Sequence, residues 1–191
     1  MRTFKNRLAA GALFVVLAAA SGATVAASPR VETDQAFNRQ EVSKRIRKEL
    51  VTLPYYGVFD NLAYSVEGDT VTLYGQVVRP STRSDAARRV AKIKGVERVV
   101  NNIEVLPLSG FDDRIRVEAY RAIFNAGGLY RYAMGANPSV HIVVNRGHVT
   151  LEGVVANRMD KQLAEFAARG IPGVFSVTNN LIAERDGRRA R

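Results

Sequence analysis

The feature that most limits what this chain can fold into is an internal repeat. Tyr64–Leu106 aligns with Ile142–Glu184 without a gap, and identical residues recur along the whole alignment. The identical positions include glycines and asparagines: Gly75, Gly95, Asn101 and Asn102 match Gly153, Gly173, Asn179 and Asn180. Self-similarity at one fixed spacing indicates a tandem duplication, so we predict two copies of one module.

Both copies have the same predicted order of elements, α-β-β-α-β. The first helix is indicated by apolar residues at helical spacing, which recur in the second copy: Val42, Ile46, Leu50 and Leu53, then Ile115, Ala119, Ile123 and Ala126. A hairpin follows, over Leu62–Val66 and Thr70–Val78 in the first copy and over Val140–Val144 and His148–Val155 in the second. A second helix, ended by Gly95 or Gly173, leads to a last strand.

The predicted fold class is α+β. A helix that joins two strands of one sheet places those strands parallel, whereas the hairpin places its strands antiparallel. Each module is therefore expected to be a small mixed three-stranded sheet packed against two helices.

The most specific motif occurs twice and resembles the BON domain of bacterial osmotically inducible and nodulation proteins. It is V-T-L-x-G on a strand, followed after a helix by G-V-x-x-V-x-N-N, at Val71–Gly75 with Gly95–Asn102 and again at Val149–Gly153 with Gly173–Asn180. The resemblance implies a periplasmic protein that binds phospholipid membranes and supports envelope integrity or tolerance of osmotic stress, and the lack of catalytic residue clusters described below indicates that it is not an enzyme.

The segment 1–27 is predicted to be a signal peptide. Arg2, Lys5 and Arg7 precede an uncharged run, Leu8–Ala20, and Ala26 and Ala27 offer a cleavage site. The apolar run is shorter than the ~20 helical residues that cross a bilayer, although an uncleaved N-terminal anchor stays an alternative. No later segment is apolar enough to span a membrane. The expected location is the periplasm.

The rest of the chain is divided from these patterns. We predict a linker at 28–41, a first BON-like domain at 42–106, a linker at 107–110, a second BON-like domain at 111–183 and a basic tail at 184–191. Loss of the three basic residues before the apolar run lowers the net charge from +10 to +7. This surplus favours partners that carry phosphate, and the phosphates available after export are lipid headgroups.

Two groups of residues are candidates for contact with anionic phospholipid. The segment Leu129, Tyr130, Arg131 and Tyr132 combines aromatic rings with a guanidinium, as suits a membrane interface. Lys44, Arg45 and Lys48 lie opposite the apolar stripe of the first helix. Each group has a plainer interpretation, the first as a cap on the open end of the sheet and the second as a solvated helix face.

The repeated glycines and asparagines are interpreted mainly as structural. Gly75 and Gly153 fall within a strand, where a neighbouring element packs against bare backbone or a bulge bends the strand. Asn101 and Asn179 point to the predicted core side of the last strand, so their amides must find hydrogen-bond partners there. A ligand role is the alternative at both pairs of positions.

Catalytic, metal and cofactor sites are not indicated. His141 and His148 are the only histidines, the chain has no cysteine, and no acidic cluster accompanies the histidines. Nucleic-acid binding is not expected, because K-homology domains, which have a related order of elements, need a G-x-x-G loop that is missing here. The competing function is a protein adaptor that presents a sheet edge or a helix to envelope proteins. The oligomeric state is not determined by these patterns.

The export prediction has a direct test. Protein recovered from the periplasm of a bacterial host should have an intact mass that corresponds to a chain beginning at Ala27 or Ser28, because the small side chains there fit the signal-peptidase site. Retention of Met1, or accumulation in the cytoplasm, would contradict it.

Overall fold

The computed structural model describes residues 29–135 and 137–184. Module one contains α1 (Pro29–Val51), β1 (Asn61–Glu67), β2 (Thr70–Val77), α2 (Pro80–Val90) and β3 (Arg98–Val105). Module two contains α3 (Gly110–Phe124), a short 3₁₀ helix (Leu129–Tyr132), β4 (Val140–Asn145), β5 (His148–Val155), α4 (Arg158–Arg169), β6 (Ser176–Asn179) and β7 (Ile182–Ala183). The α+β class and the two tandem modules are confirmed.

The sheets of the two modules have the same topology. β1 and β2 form an antiparallel hairpin and β3 lies parallel to β2, while β4, β5 and β6 repeat this arrangement. The second sheet differs in one respect. Its last strand is divided, so that β6 and β7 both pair in parallel with β5 and the sheet has four strands instead of three.

The first helix begins earlier than the sequence pattern indicated. α1 starts at Pro29 and therefore covers positions 29–41 of the predicted linker, 28–41. Proline is well tolerated in the first turn of a helix, and no glycine or further proline follows before Val51 to end it. The predicted signal peptide, residues 1–27, and positions 185–191 of the predicted tail lie outside the described residues.

Each module has one apolar core between its sheet and its two helices. In module one the predicted helix stripe, Val42, Ile46, Leu50 and Leu53, is buried together with Val71, Leu73 and Val77 of β2. In module two, Ile115, Ala119 and Ile123 are buried against Val149, Leu151 and Val155. Alternate residues of the central strand point into the core, because successive side chains of a strand face opposite sides.

The loop between α1 and β1 of module one packs against module two. The backbone N–H of Ile142 in β4 donates to the carbonyl oxygen of Val58 at 2.7 Å, and Val58 and Phe59 pack against the core of module two. Val143 points away from that core, yet it is only 4% exposed. Its neighbours on the same face, His141 and Asn145, contact Gly57 and Glu104 of module one, so module one covers this side of β4.

The core assignment predicts a large effect of truncation at Leu73. Leu73 is 1% exposed, so Leu73→Ala should lower the free energy of unfolding by about 2–5 kcal/mol through lost burial and the resulting cavity. Urea unfolding followed by circular dichroism measures this change. Leu108→Ala is the matched control, because Leu108 is 96% exposed and its truncation should change stability by less than about 0.5 kcal/mol. A loss below about 1 kcal/mol for Leu73→Ala would show that the Leu73 side chain does not face the core.

Candidate functional site

Only half of the predicted Leu129–Tyr132 segment reaches solvent. Tyr130 is 63% exposed and the Arg131 side chain is 43% exposed. Leu129 is 1% exposed and Tyr132 is 8% exposed, and both belong to the core of module two. Leu129 and Tyr132 are therefore not available as lipid contacts, because one turn of 3₁₀ helix directs these two side chains inward.

Tyr132 is held inside by hydrogen bonds at its hydroxyl. The hydroxyl donates to Asp160 Oδ2 at 2.5 Å and accepts from the backbone N–H of Ala156 at 2.8 Å. Arg131 also donates to Asp160 Oδ2, and its hydrogen bonds to Tyr132 and Asp160 raise the pKa of its guanidinium. This cluster ties the 3₁₀ helix to the start of α4, which is a structural role.

Gly75 and Gly153 have a clear structural reason. Their φ angles are +115° and +117°, a region that residues with a Cβ rarely adopt. A Cβ at Gly75 would overlap the carbonyl oxygen of Asn61 on the adjacent strand, and one at Gly153 would overlap that of Ser139. Close approach of neighbouring backbone therefore accounts for both glycines.

Gly95 and Gly173 do not end the second helices as expected. α2 ends at Val90 and α4 at Arg169, several positions earlier. Each glycine is the third residue of a β-turn, closed by the hydrogen bond from Val96 N to Ile93 O or from Val174 N to Ile171 O. Their φ angles of +96° and +88° are those that a type II turn requires at this position.

Asn101 and Asn179 make the same two hydrogen bonds in both modules. Each Nδ2 donates to a carbonyl of the preceding helix, Arg83 O or Lys161 O, and each Oδ1 accepts from the backbone N–H two positions later, that of Ile103 or Leu181. The amides are satisfied within the protein. The structural interpretation is thus the one that the geometry supports.

Lys44, Arg45 and Lys48 lie on the exposed side of α1, and the fold brings two of them beside α2. Arg45 and Lys48 border a groove of about 420 Å³ between the C-terminal ends of α1 and α2. Five cationic side chains and one carboxylate line this basic groove, together with Ile93: Arg45, Lys48, Arg89, Lys92, Lys94 and Glu49. The helical spacing of α1 indicated its three exposed cations, but it did not indicate that Arg45 and Lys48 lie next to cations of α2.

The equivalent place in module two is a second groove of different character. About 540 Å³ in volume, it lies between α3 and α4 and includes Phe166, Ala167, Gly170 and Pro172. Three cations of the basic groove are replaced here at the aligned positions: Arg89 by Ala167, Lys92 by Gly170 and Lys94 by Pro172. Duplication has left one groove in each module, and their chemistry has diverged.

Apolar side chains continue outward from the groove of module two. Phe166 is 78% exposed, Phe175 70%, Val117 44% and Phe111 38%. Phe111, Val117 and Pro172 line a neighbouring depression of about 660 Å³, and the rings of Phe111 and Phe175 lie 6.1 Å apart. We call Phe111, Val117, Phe166, Pro172 and Phe175 the apolar surface.

The apolar surface is not visible in the local sequence pattern, because its members come from different elements. Phe166 lies off the inward stripe of α4, and Phe175 lies just before β6. One pattern could have found them. When the copies are aligned, Val117 and Phe166 occupy the positions of Lys44 and Arg88 in module one, so a charged face in one copy corresponds to an apolar face in the other.

A cleft of about 800 Å³ between the modules is lined by the half-buried side chains of Tyr56 and His141, and the buried Asp60 interacts with both. Burial raises the pKa of Tyr56 to about 12, raises that of Asp60 and lowers that of His141. Asp60 accepts from the backbone N–H groups of Gly57 and Val78, and His141 Nδ1 lies 3.2 Å from the Gly57 carbonyl oxygen. Since that oxygen only accepts, Nδ1 carries the proton. These contacts fix the loop between α1 and β1, which packs against module two.

Within residues 29–135 and 137–184, no group of three or more acidic or histidine side chains is placed to hold a metal ion. Over the same residues, no helix combines the length and the apolar character that a membrane span requires.

The fold defines this chain as a tandem repeat of one small α+β module, and comparison with known families gives the module its name. Residues 38–107 and 112–185 match the BON domain. The chain belongs to the BON domain family and carries two copies in tandem.

No curated protein matches the chain. Two solved structures of CdsD from Chlamydia trachomatis, described as a structural protein of the Type III secretion system, are similar to it. The first, a C-terminal domain, is 12% identical, with 73% of this chain and 96% of that chain covered and a TM-score of 0.29. The second is 13% identical, with 78% and 96% covered and a TM-score of 0.28. Likeness at this level indicates no function for this chain.

The hydroxyl of Tyr132 should contribute to stability whereas that of Tyr130 should not. Tyr132→Phe removes the hydroxyl that the Asp160 carboxylate and the Ala156 N–H both bind, so we expect a loss of about 1–3 kcal/mol in the free energy of unfolding. Tyr130→Phe is the matched control and should be neutral, because Tyr130 is exposed. Chemical unfolding of both variants measures the difference. Equal stabilities would show that Tyr132 is not anchored as described.

Proposed function

We propose that this protein is a non-enzymatic, exported envelope protein that binds phospholipid membranes peripherally through module two. The observation that carries the proposal is the apolar surface. Two phenylalanines on it, Phe166 and Phe175, are more than two-thirds exposed, and they lie beside two grooves that are also largely apolar. A contiguous exposed patch of this kind marks a surface that meets a partner or a membrane.

The side chains around the apolar surface suit an anionic lipid layer. Arg114 lies over the ring of Phe111 at 5.9 Å. Arg121 and Arg169 lie in the last turns of α3 and α4, the two helices beside the apolar groove. Arg121 and Arg169 are paired with Glu118 and Glu165, but ion pairs this exposed contribute little and exchange readily for lipid phosphate. Each arginine near an anionic leaflet contributes about 1 kcal/mol, and a fully buried phenylalanine contributes about 1.5–3 kcal/mol.

These magnitudes favour reversible docking on the surface of a bilayer. A few aromatic side chains that enter the headgroup boundary, with arginines at the phosphates, give interfacial binding of the peripheral kind. Tyr130 and Arg131 stay candidate lipid contacts. They lie near the N-terminal end of α4, because Arg131 pairs with Asp160 in the first turn of that helix. The apolar surface lies towards the C-terminal end of α4, where Phe166 and Pro172 are found.

Family membership supports the same proposal. The BON domain is associated with a phospholipid-binding or envelope-associated role. A role in envelope integrity or tolerance of osmotic stress follows from that association, and location in the periplasm follows from the predicted signal peptide.

A protein adaptor is the second candidate, and one observation favours it. β3 (Arg98–Val105) pairs with β2 on one side only, and no other described strand pairs with its outer edge. An open edge of this length can accept an extended segment of a partner protein.

Vesicle binding separates the two candidates. The double variant Phe166→Ser, Phe175→Ser should weaken binding to phosphatidylglycerol vesicles by roughly tenfold or more, because it removes the apolar contacts of module two. Co-sedimentation against phosphatidylcholine vesicles measures this, and affinity should fall as salt screens the arginines. Tyr74→Ser is the control, because Tyr74 is an exposed aromatic residue on the sheet of module one.

Circular dichroism of each variant establishes that the fold is intact. Two results would contradict membrane docking through the apolar surface: wild-type protein that does not bind anionic vesicles, or a double variant that binds them as tightly as wild type. The adaptor would then be the better proposal.

A further inference from the structure

We propose that the basic groove of module one is an anion-binding site for ligands that carry a phosphate group. The proposal goes beyond membrane docking through module two, because it assigns a separate site to the other module. The basic groove has a volume of about 420 Å³ and is lined by Lys48, near the end of α1, and by Lys92 and Lys94, just after α2.

One cation of the basic groove, Arg89, already has partners within the protein. The Arg89 guanidinium donates to the carbonyl oxygen of Thr52 at 3.3 Å and to its hydroxyl at 3.4 Å, and it lies 3.5 Å from Glu49. A cation at the C-terminal end of a helix satisfies free carbonyls and favours the helix dipole. These contacts explain Arg89 without a ligand.

The three lysines of the basic groove have no such explanation. Arg45 shares Glu41 with Lys44 at 3.8–3.9 Å, and all three side chains are largely solvated. No carboxylate of the described part of the chain forms an ion pair with Lys48, Lys92 or Lys94. Like charges that are held around one concavity repel each other, and a bound anion relieves that repulsion.

Module two shows that the fold does not need the two lysines that follow α2. Its equivalent groove has the same two helices and the same turn, yet it carries Gly170 and Pro172 in place of Lys92 and Lys94. Arg121 keeps a cation at the position of Lys48, so a cation at the end of the first helix is common to both copies. Lys92 and Lys94 are therefore the charges that set the groove of module one apart.

The chemistry of the basic groove suits a phosphate group. Lysine ammonium groups act as compact point charges that several phosphate oxygens can share, and the planar fork of Arg45 can bind two oxygens at once. The groove, with a volume of about 420 Å³, has room for a phosphate group between these side chains. The source of that group is either a free phosphate or the headgroup of a lipid, and the test distinguishes them.

The experiment compares two charge-matched triple variants of the mature chain. Lys48→Gln, Lys92→Gln, Lys94→Gln removes three cations of the basic groove. Arg83→Gln, Arg98→Gln, Arg146→Gln removes three exposed cations outside it. Sodium phosphate is titrated at constant pH and ionic strength, and backbone amide shifts are followed by NMR. Phosphatidylglycerol vesicles form the second arm.

For wild-type protein we expect saturable shifts in residues 45–52 and 89–96 on addition of sodium phosphate. The groove variant should bind phosphate about tenfold more weakly or worse, because each lysine contributes several-fold near an anionic group, and the control variant should bind as wild type does. If free phosphate gives no shifts but only the groove variant binds vesicles more weakly, the ligand is a lipid headgroup.

Equal behaviour of the two triple variants in both arms would overturn the proposal. That outcome is distinct from failure of membrane docking, which the Phe166 and Phe175 variant reports. Phosphate binding by the basic groove with no effect of the phenylalanine variant on vesicles would support this site and remove the other. Thermal unfolding of both triple variants controls for loss of fold.

Discussion

The packing of two helices on one face of a small sheet is the interaction on which the rest of each module depends. Val71, Leu73 and Val77 of β2 are fully buried between the helices and the sheet, as are Val149, Leu151 and Val155 of β5. The central strand can contribute three core residues only if its neighbours approach closely, and bare backbone at Gly75 and Gly153 permits that approach. Once both helices lie side by side on this face, a groove between them is unavoidable.

The two grooves show how duplication separates fold from function. The core residues and the turn glycines agree between the copies, whereas the side chains that rim the grooves do not. Core positions are constrained by packing density, and exposed positions beside them are free to change. Module one has accumulated cations at this place and module two apolar residues, while the loop around Val58 and Phe59 holds the two modules together.

Much of the fold followed from local patterns. Helical spacing of Val42, Ile46 and Leu50 and alternation along β2 correctly placed the core, because these periodicities report which side of an element is buried. Helix ends were less predictable. Gly95 and Gly173 have the positive φ expected of a helix-ending glycine, but they serve a type II turn beyond the helix, a distinction that depends on which backbone groups pair.

The sequence by itself determined the duplication, the α-β-β-α-β order, the buried face of each central strand and the membership of the BON family that its repeated motif suggested. All of these are encoded in residues close together along the chain. Only the tertiary structure decided that Leu129 and Tyr132 are buried, that Arg45 and Lys48 meet cations of α2, and that distant phenylalanines form one apolar surface. Tyr132 binds a residue 28 positions away, and Arg89 one 37 positions away. Contacts over such separations depend on how helices settle on the sheet, and no local periodicity records that.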